Sequence, residues 1–265
     1  MRPRPSATLL FLGALLASAV SPAETVAVRH PEGLVRGFLT LRALDGTALA
    51  DGDLIQSAKG DRVTSRLVFR FRDGSLHDET AVFTQRGRFR LVSDHLVQRG
   101  PSFPNPLDVW IDATSGNVKI RYREKGEEKS IEEREELPED LANGLMLVLL
   151  KNIPADPVST SVSALAATPK PRKVKYVVSV AGEDPFSVGG ASHKATRYRV
   201  KVEIGGVAGL IAPIIGKQPP DTFVWILGGD APGFVRSEGP LFQGGPIWRI
   251  ELAWPDYPEM RVERR

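Results

Sequence analysis

Apolar and polar residues alternate along most of the chain, with a period of two that indicates β-strands. The clearest region runs from Arg62 to Asp112, where alternating runs are separated by short turns. Asp73-Gly74 and Arg86-Gly87 stand at two of these turns, and Asp-Gly is a strong hairpin signal. The pattern predicts three antiparallel strands in a meander.

The second turn also predicts how the last two of these strands pair. With Arg86-Gly87 at its centre, Asp78 lies directly opposite His95. The same register puts Glu79 opposite Asp94. Since a slip of one residue would exchange the two faces of a strand, this pairing is a sharp expectation.

Similar alternation predicts strands in both halves of the chain. They cover residues 34–44, 51–59, 107–112, 117–124 and 129–137, and then 174–180, 194–204, 222–227, 233–238 and 247–254. The expected fold is mainly β with one principal helix: a curved antiparallel sheet, a half-barrel or roll, built from two meander-like halves. We expect one β-rich domain over residues 24–265. Its halves, 24–153 and 172–265, are joined by a proline-rich crossing, with a low-complexity linker as the alternative.

One segment, from Pro138 to Asn152, is predicted as helix. Pro138 suits a first helical turn, and Leu145 and Leu149 fall at helical spacing. The segment is apolar almost all the way round, so the sheet should cover it on more than one side. Core packing is the favoured interpretation, and a helix guarding a lipid cavity is the alternative.

The N-terminus has the pattern of a secretory signal peptide. Arg2 and Arg4 precede an apolar run from Ala7 to Val20, and Ser21-Pro22-Ala23 supplies small residues for cleavage. The run is short for a membrane anchor, which needs ~20 residues. The sequence therefore predicts a signal peptide over residues 1–23 and an exported protein, periplasmic or secreted. No later stretch reads as transmembrane.

Composition excludes several kinds of chemistry. The chain has no cysteine, which excludes disulfides, zinc-thiolate sites and thiol nucleophiles. Its formal net charge is +3, and Arg2 and Arg4 of the signal peptide supply two of these charges. The near-neutral remainder argues against nucleic acid as a partner.

The stretch from Gly205 to Pro220 is apolar up to Lys217 and rich in glycine and proline. It matches neither a dinucleotide fingerprint nor a Walker loop, so we expect no nucleotide and no other cofactor. A flap over the core, or the mouth of a hydrophobic pocket, fits better. The candidate ligand-binding residues are Leu145, Leu149, Leu210, Ile211, Ile214 and Ile215.

Asp78 and His95 are the candidate catalytic residues, because a carboxylate beside an imidazole can orient it for base catalysis. No Gly-x-Ser-x-Gly or His-Glu-x-x-His motif accompanies them, so structural pairing is favoured and no metal site is predicted. Arginines gather on the same meander. They form either a solvated sheet face, paired across strands with Glu79, Asp94 and Asp78, or a surface for anionic lipid headgroups or a phosphorylated glycan. They are Arg66, Arg70, Arg86, Arg88, Arg90 and Arg99.

Several short runs resemble an uncharacterised family of exported bacterial proteins. They are Asp73-Gly74-Ser75-Leu76, residues 91–97, Gly100-Pro101-Ser102-Phe103-Pro104, residues 219–226 and Trp248-Arg249-Ile250-Glu251-Leu252. The general plan is also similar to periplasmic lipoprotein-carrier-like β domains. This resemblance implies a fold type and an envelope location, and it brings no site residues.

Three hypotheses for function follow from the sequence. The first is a soluble binding protein that holds a lipid-like or other hydrophobic ligand between the curved sheet and the apolar helix. The second is an envelope structural or interaction protein without a small ligand. The third is a hydrolase or metal enzyme that uses Asp78 and His95. The expected partner is a hydrophobic small molecule or a component of the envelope.

Overall fold

The structure is a computed structural model that describes residues 25–154, 159–166, 168, 171–188, 191–205 and 218–253. The predicted signal peptide and the predicted flap residues Leu210, Ile211, Ile214 and Ile215 lie outside the described residues. Within these ranges, no helix is both long enough and apolar enough to traverse a bilayer.

The described strands form one antiparallel sheet of 14 strands. In the N-terminal half they are β1 Val35–Ala43, β2 Ala48–Lys59, β3 Arg62–Phe71, β4 Leu76–Thr84, β5 Arg90–Arg99, β6 Leu107–Asp112, β7 Asn117–Glu124 and β8 Glu127–Arg134. After helix α1, Met146–Asn152, come β9 Thr160–Ala166, β10 Arg172–Val188, β11 Ala191–Ile204, β12 Thr222–Leu227, β13 Gly233–Gly239 and β14 Trp248–Leu252.

The sheet consists of two meanders that meet at β1 and β14. Strands β1 to β8 each pair with the next along the chain, and so do β9 to β14. Leu41 of β1 faces Ile250 of β14 at the junction. Strands β8 and β9 are left at the two edges. The predicted fold class, an antiparallel sheet of two meander-like halves with one principal helix, is confirmed.

The sheet curls so that distant strands share one core. Phe83 of β4 and Tyr198 of β11 are buried in the same apolar cluster, together with Leu149 of α1. Between the two edges, the chain that follows β8 runs along β9. The backbone N–H of Ala142 donates to the carbonyl of Ser163 at 2.8 Å, beside a parallel bridge between Leu141 and Ser163.

The contact between β9 and the segment that follows β8, which we call the seam, explains why the helix is shorter than expected. The sequence predicts a helix from Pro138, but α1 begins at Met146. Asn143 exchanges two hydrogen bonds of 2.9 Å with the backbone of Leu165, and Gly144 adopts a positive φ of 65°. Tertiary pairing with β9 therefore outweighs the local helical pattern.

The proline-rich crossing contains a strand that the alternation did not predict. Within it, β9 places Val162, Ala164 and Leu165 in buried positions. Consecutive buried residues do not give a period-two signal, which is why the pattern did not reveal this strand.

Two apolar clusters fill the inside of the curved sheet. The large cluster surrounds α1 and includes Ala81 and Phe83 of β4. The aromatic cluster lies elsewhere along the sheet, and its buried members are Leu39, Leu41, Ala50, Phe69, Phe71, Phe103 and Trp248. His77 lies against the aromatic cluster, with its ring centroid 6.0 Å from that of Phe69. On the inner face of β4, Glu79 therefore lies between His77, which contacts the aromatic cluster, and Ala81, which belongs to the large cluster.

Candidate functional site

The predicted catalytic pair lies on the outer face of the β4–β5 hairpin, but not in the predicted register. Thr80, not Asp78, is opposite His95, and Asp78 is opposite Val97. The predicted pairing of Asp78 with His95 is therefore wrong. Two features together shift the strands by two residues relative to a simple two-residue turn. Nearest the turn, Thr84 already pairs with Arg90, and an irregularity between Val82 and Phe83 adds the second residue.

Asp78 and His95 each have a different partner. Arg66 donates to the two carboxylate oxygens of Asp78 at 2.9 and 2.6 Å, and this bidentate bond lowers the pKa of Asp78. His95 Nε2 lies 2.9 Å from Asp108 Oδ1, and its ring stacks on Trp110 with 3.5 Å between centroids. The outer face is thus a set of paired charges around an exposed tryptophan.

The predicted pairing of Glu79 with Asp94 is also wrong in register, yet both residues lie on the inner face. Glu79 is opposite Leu96, and Asp94 is opposite Ala81. The two carboxyls are therefore diagonal neighbours in the interior of the curved sheet. We call them the inner acid pair.

The pKa values of the inner acid pair are raised in the folded protein. Burial raises the pKa of Glu79 to about 7. Burial, followed by the charge of Glu79, raises the pKa of Asp94 well above its usual range. Asp94 is 2% exposed, and its Oδ1 has no hydrogen-bond partner among the described residues.

The segment before α1 and the opposite wall of the sheet enclose this pair. A Cβ on Gly144 would lie 2.9 Å from Asp94 Oδ1, so only a glycine lets the backbone come this close. From β10, Tyr176 packs against the large cluster, which contains Ala81, the residue opposite Asp94. Burial, followed by the charges of Glu79 and Asp94, raises the pKa of Tyr176 to about 12. Residues from three separated parts of the chain therefore meet at one polar site.

His77 and Gln98 extend the polar inner face toward the aromatic cluster. Gln98 Nε2 donates to His77 Nδ1 at 3.0 Å and to the carbonyl of Leu241 at 2.8 Å. Burial lowers the pKa of His77 to about 4, so the ring is neutral near pH 7. Its Nε2 is buried without a hydrogen-bond partner in the described part of the chain.

Several inward-facing side chains keep accessible surface. Glu79 and Tyr176 are only half-buried, although burial is the main cause of their pKa shifts. Four apolar side chains packed against the large cluster are also half-buried and belong to strands on different sides of the interior: Leu96, Tyr122, Val180 and Phe234.

The predicted ligand-binding residues divide into two groups. Leu145 and Leu149 are 1% and 3% exposed and lie inside the large cluster. Leu210, Ile211, Ile214 and Ile215 lie outside the described residues. The structure thus places the first two among core side chains, close in sequence to Gly144.

Two surface cavities also occur, and neither is lined by Leu145 or Leu149. A groove of about 340 Å³ on the outer face contains Trp225, whose Nε1 donates to Asp184 Oδ2 at 2.7 Å. Arg197 Nη1 approaches the same oxygen at 3.1 Å. A cavity of about 530 Å³ lies at the seam beside Arg90 and Glu139. The polar groups in both places are largely paired with each other.

No metal site is evident: among the described residues, no three histidine, aspartate or glutamate side chains are grouped to hold an ion. The sequence did carry a signal for the inner acid pair. Glu79 shares the face of β4 with Ala81 and Phe83, and a carboxylate on the apolar face of a strand is unusual. Tyr176 gave no such signal, because its meeting with Glu79 depends on how the sheet curls.

Comparison with known proteins gives only structural likenesses. No protein-family model matches the chain, and no curated protein matches it. One similar solved structure is a beta-barrel-like protein of a domain of unknown function from Brucella abortus, 9% identical, with a TM-score of 0.47, covering 84% of this chain and 98% of that one.

Two further similar structures are the hypothetical lipoprotein YmcC from Escherichia coli and a protein from Bacteroides fragilis described as exported, with a YmcC-like fold. The first is 10% identical, with a TM-score of 0.37, and the match covers 84% of this chain and 86% of that one. The second is 10% identical, with a TM-score of 0.33, and the match covers 86% of this chain and 97% of that one. These descriptions agree with the predicted resemblance to uncharacterised exported proteins.

Proposed function

We propose that this chain is an exported binding protein that holds a lipid-like molecule inside its curved sheet. The observation that carries the proposal is the set of inward-facing side chains that keep accessible surface, above all Glu79, Leu96 and Tyr176. A side chain on the concave face of a sheet that is not fully covered borders space that protein atoms do not fill. Such space, mostly apolar with a few polar groups, is typical of a small-molecule site.

The apolar part of this site supports a hydrophobic ligand. Leu96, Tyr122, Val180 and Phe234 border the large cluster from four strands and would contact a hydrocarbon chain. Burying such a chain contributes about 0.8 kcal/mol for each methylene group. Leu145 and Leu149 form the packed floor behind these residues in this proposal. Residues 210–215 stay a predicted flap.

The test is native mass spectrometry of the exported protein, purified without detergent, followed by solvent extraction of bound molecules. We expect a bound species of defined mass that extraction removes. Leu96→Gln should reduce the bound fraction, because Leu96 faces inward. Its neighbour Val97 lies on the outer face, so Val97→Gln is a matched control that should retain the ligand.

Ligand-free protein in both the extract and the native spectrum would contradict the proposal and favour an interaction or structural role in the envelope. The enzyme hypothesis has its own readout. If Asp78 and His95 catalyse a hydrolysis, His95→Ala should abolish turnover of ester substrates without changing ligand content.

A further inference from the structure

The inner acid pair offers hydrogen-bond acceptors in a place where the described protein supplies no cation. Asp94 is buried, and one of its oxygens is unpartnered. Glu79 lies diagonally across the hairpin and keeps accessible surface. Tyr176 of β10 packs against the same cluster as Ala81, which lies opposite Asp94, and so brings a hydroxyl from the opposite wall. An unpaired buried polar group is unfavourable, so a ligand that supplies donors here would gain affinity.

The groups that face the pair from each neighbouring element are neutral or acidic. From β4 and β5 these are the neutral His77 and the amide of Gln98. From the segment before α1, Gly144 brings no side chain. Tyr176 of β10 is flanked by Val162 of β9 and Val202 of β11, which carry no charge. Among the described residues, no lysine, arginine or histidine forms an ion pair with Glu79 or Asp94.

We propose that Glu79, Asp94 and Tyr176 bind the protonated amine headgroup of an amphipathic ligand whose apolar tail occupies the inner space. An ammonium group has three N–H donors, and the two carboxyls and the hydroxyl offer three acceptors. One carboxyl becomes ionised and pairs with the ammonium, while its proton leaves to solvent. The charges then balance inside the protein, which an isolated carboxylate cannot achieve there.

Other ligand chemistries fit this site less well. A divalent cation such as Ca²⁺ takes 6–8 oxygen ligands, more than this pair supplies. An anionic headgroup would lie against two acids with no described cation to offset it. A neutral headgroup could hydrogen-bond to the acids but would cause no proton release. The amine is the headgroup that uses the acceptors and the ionisable protons together.

This inference rests on the proposed function, since the tail needs the inner space, and the experiment separates the two. Calorimetry would compare dodecylammonium, dodecanol and dodecanoate at pH 6, where Glu79, with a pKa of about 7, is still mostly protonated, each below its micelle concentration or solubility limit. We expect dodecylammonium to bind at least about tenfold more tightly than dodecanol, as for a charge-assisted hydrogen bond. Repeating the titration in buffers of different ionisation enthalpy should show release of about one proton.

The variants sharpen the result. Glu79→Gln and Asp94→Asn should each remove most of the preference for the amine and leave dodecanol binding unchanged. Asp78→Asn, on the outer face next to Glu79, should keep the preference. Equal binding of amine and alcohol, or tighter binding of dodecanoate, would overturn the amine site and leave the binding function standing. Binding of none of the three would overturn both. Proton release by the wild-type chain needs no variant and decides the case if the variants fail to fold.

Discussion

The two faces of the β4–β5 hairpin carry similar acids in opposite electrostatic settings. Asp78, on the outer face, is bonded by Arg66, and its pKa is lowered. Glu79, the next residue, points inward, and its pKa is raised to about 7. The difference arises from the partner, since Arg66 is bonded to the outer acid, whereas no described cation is bonded to Glu79 and burial is the main cause of its raised pKa. The outer acids form ion pairs at the surface, whereas no described cation pairs with the inner acids.

The largest expected effect comes from a substitution at Gly144, which packs closely against the inner acid pair. Gly144→Ala adds a Cβ 2.6 Å from that of Ala81 and forces a non-glycine residue to a φ of 65°. Strain and overpacking together should lower the free energy of unfolding by roughly 4 kcal/mol. Denaturant unfolding would measure this loss.

Gly60 is the matched control for this substitution, with a φ of 61° and nothing within 4 Å of an added Cβ. Gly60→Ala should lower the free energy of unfolding by only about 1 kcal/mol, from backbone strain alone. Equal losses at the two glycines would show that Gly144 does not press against Asp94.

The next effect is a stability that falls as the pH rises. The pKa of Glu79 is higher in the folded state than in the unfolded chain, so between pH 4.5 and 8 the folded protein binds more protons than the unfolded one. Stability from this group is therefore present at low pH and is lost as the pH rises through about 7. Glu79→Gln should be more stable than wild type at pH 8 by about 3 kcal/mol and nearly equal to it at pH 4.5. If the difference in the free energy of unfolding between variant and wild type does not change with pH, the pKa of Glu79 is not raised in the folded protein.

His77 should show the opposite sign, because it is a base that burial keeps neutral. Its pKa is lowered to about 4, so the unfolded chain takes up a proton between pH 6.5 and 4 while the folded one does not. Stability should fall by about 2 kcal/mol between pH 7 and pH 5 from this group. His77→Asn removes the titration, so the gap between variant and wild type should shrink by that amount over this range. If this difference in the free energy of unfolding stays constant from pH 7 to pH 5, the pKa of His77 is not lowered in the folded protein and its ring contacts water.

The smallest effect belongs to the outer face. Arg66 is half exposed and Asp78 partly so, and solvent screens their ion pair. Asp78→Asn should lower the free energy of unfolding by at most about 1 kcal/mol, and less at high salt. Its pH dependence between 6 and 8 should match wild type. A loss as large as that of an inner-face variant would contradict the difference between the two faces.

Period-two alternation predicted most strands, so the two meanders followed from the sequence. The inward position of Glu79 did not, because the arginines of the meander suggested surface partners for it. The register of the β4–β5 hairpin did not follow, because neither the longer turn nor the irregularity beside Val82 leaves a mark in the alternation. The helix start at Met146 depends on pairing with β9, a contact far apart in the chain. The meeting of Tyr176 with the inner acids likewise depends on long-range curling, which no local pattern encodes.

A carboxyl titration by ¹³C nuclear magnetic resonance would test the contrast between the faces most directly. The resonances of Glu79, Asp94 and Asp78 can be assigned from Glu79→Gln, Asp94→Asn and Asp78→Asn. We expect Glu79 in the ligand-free protein to titrate near pH 7, Asp94 well above its usual range and Asp78 below its usual value of 3.8. Ordinary midpoints for Glu79 and Asp94 would show that water or a cation already satisfies them, and the inner site proposed for an amine would then be lost.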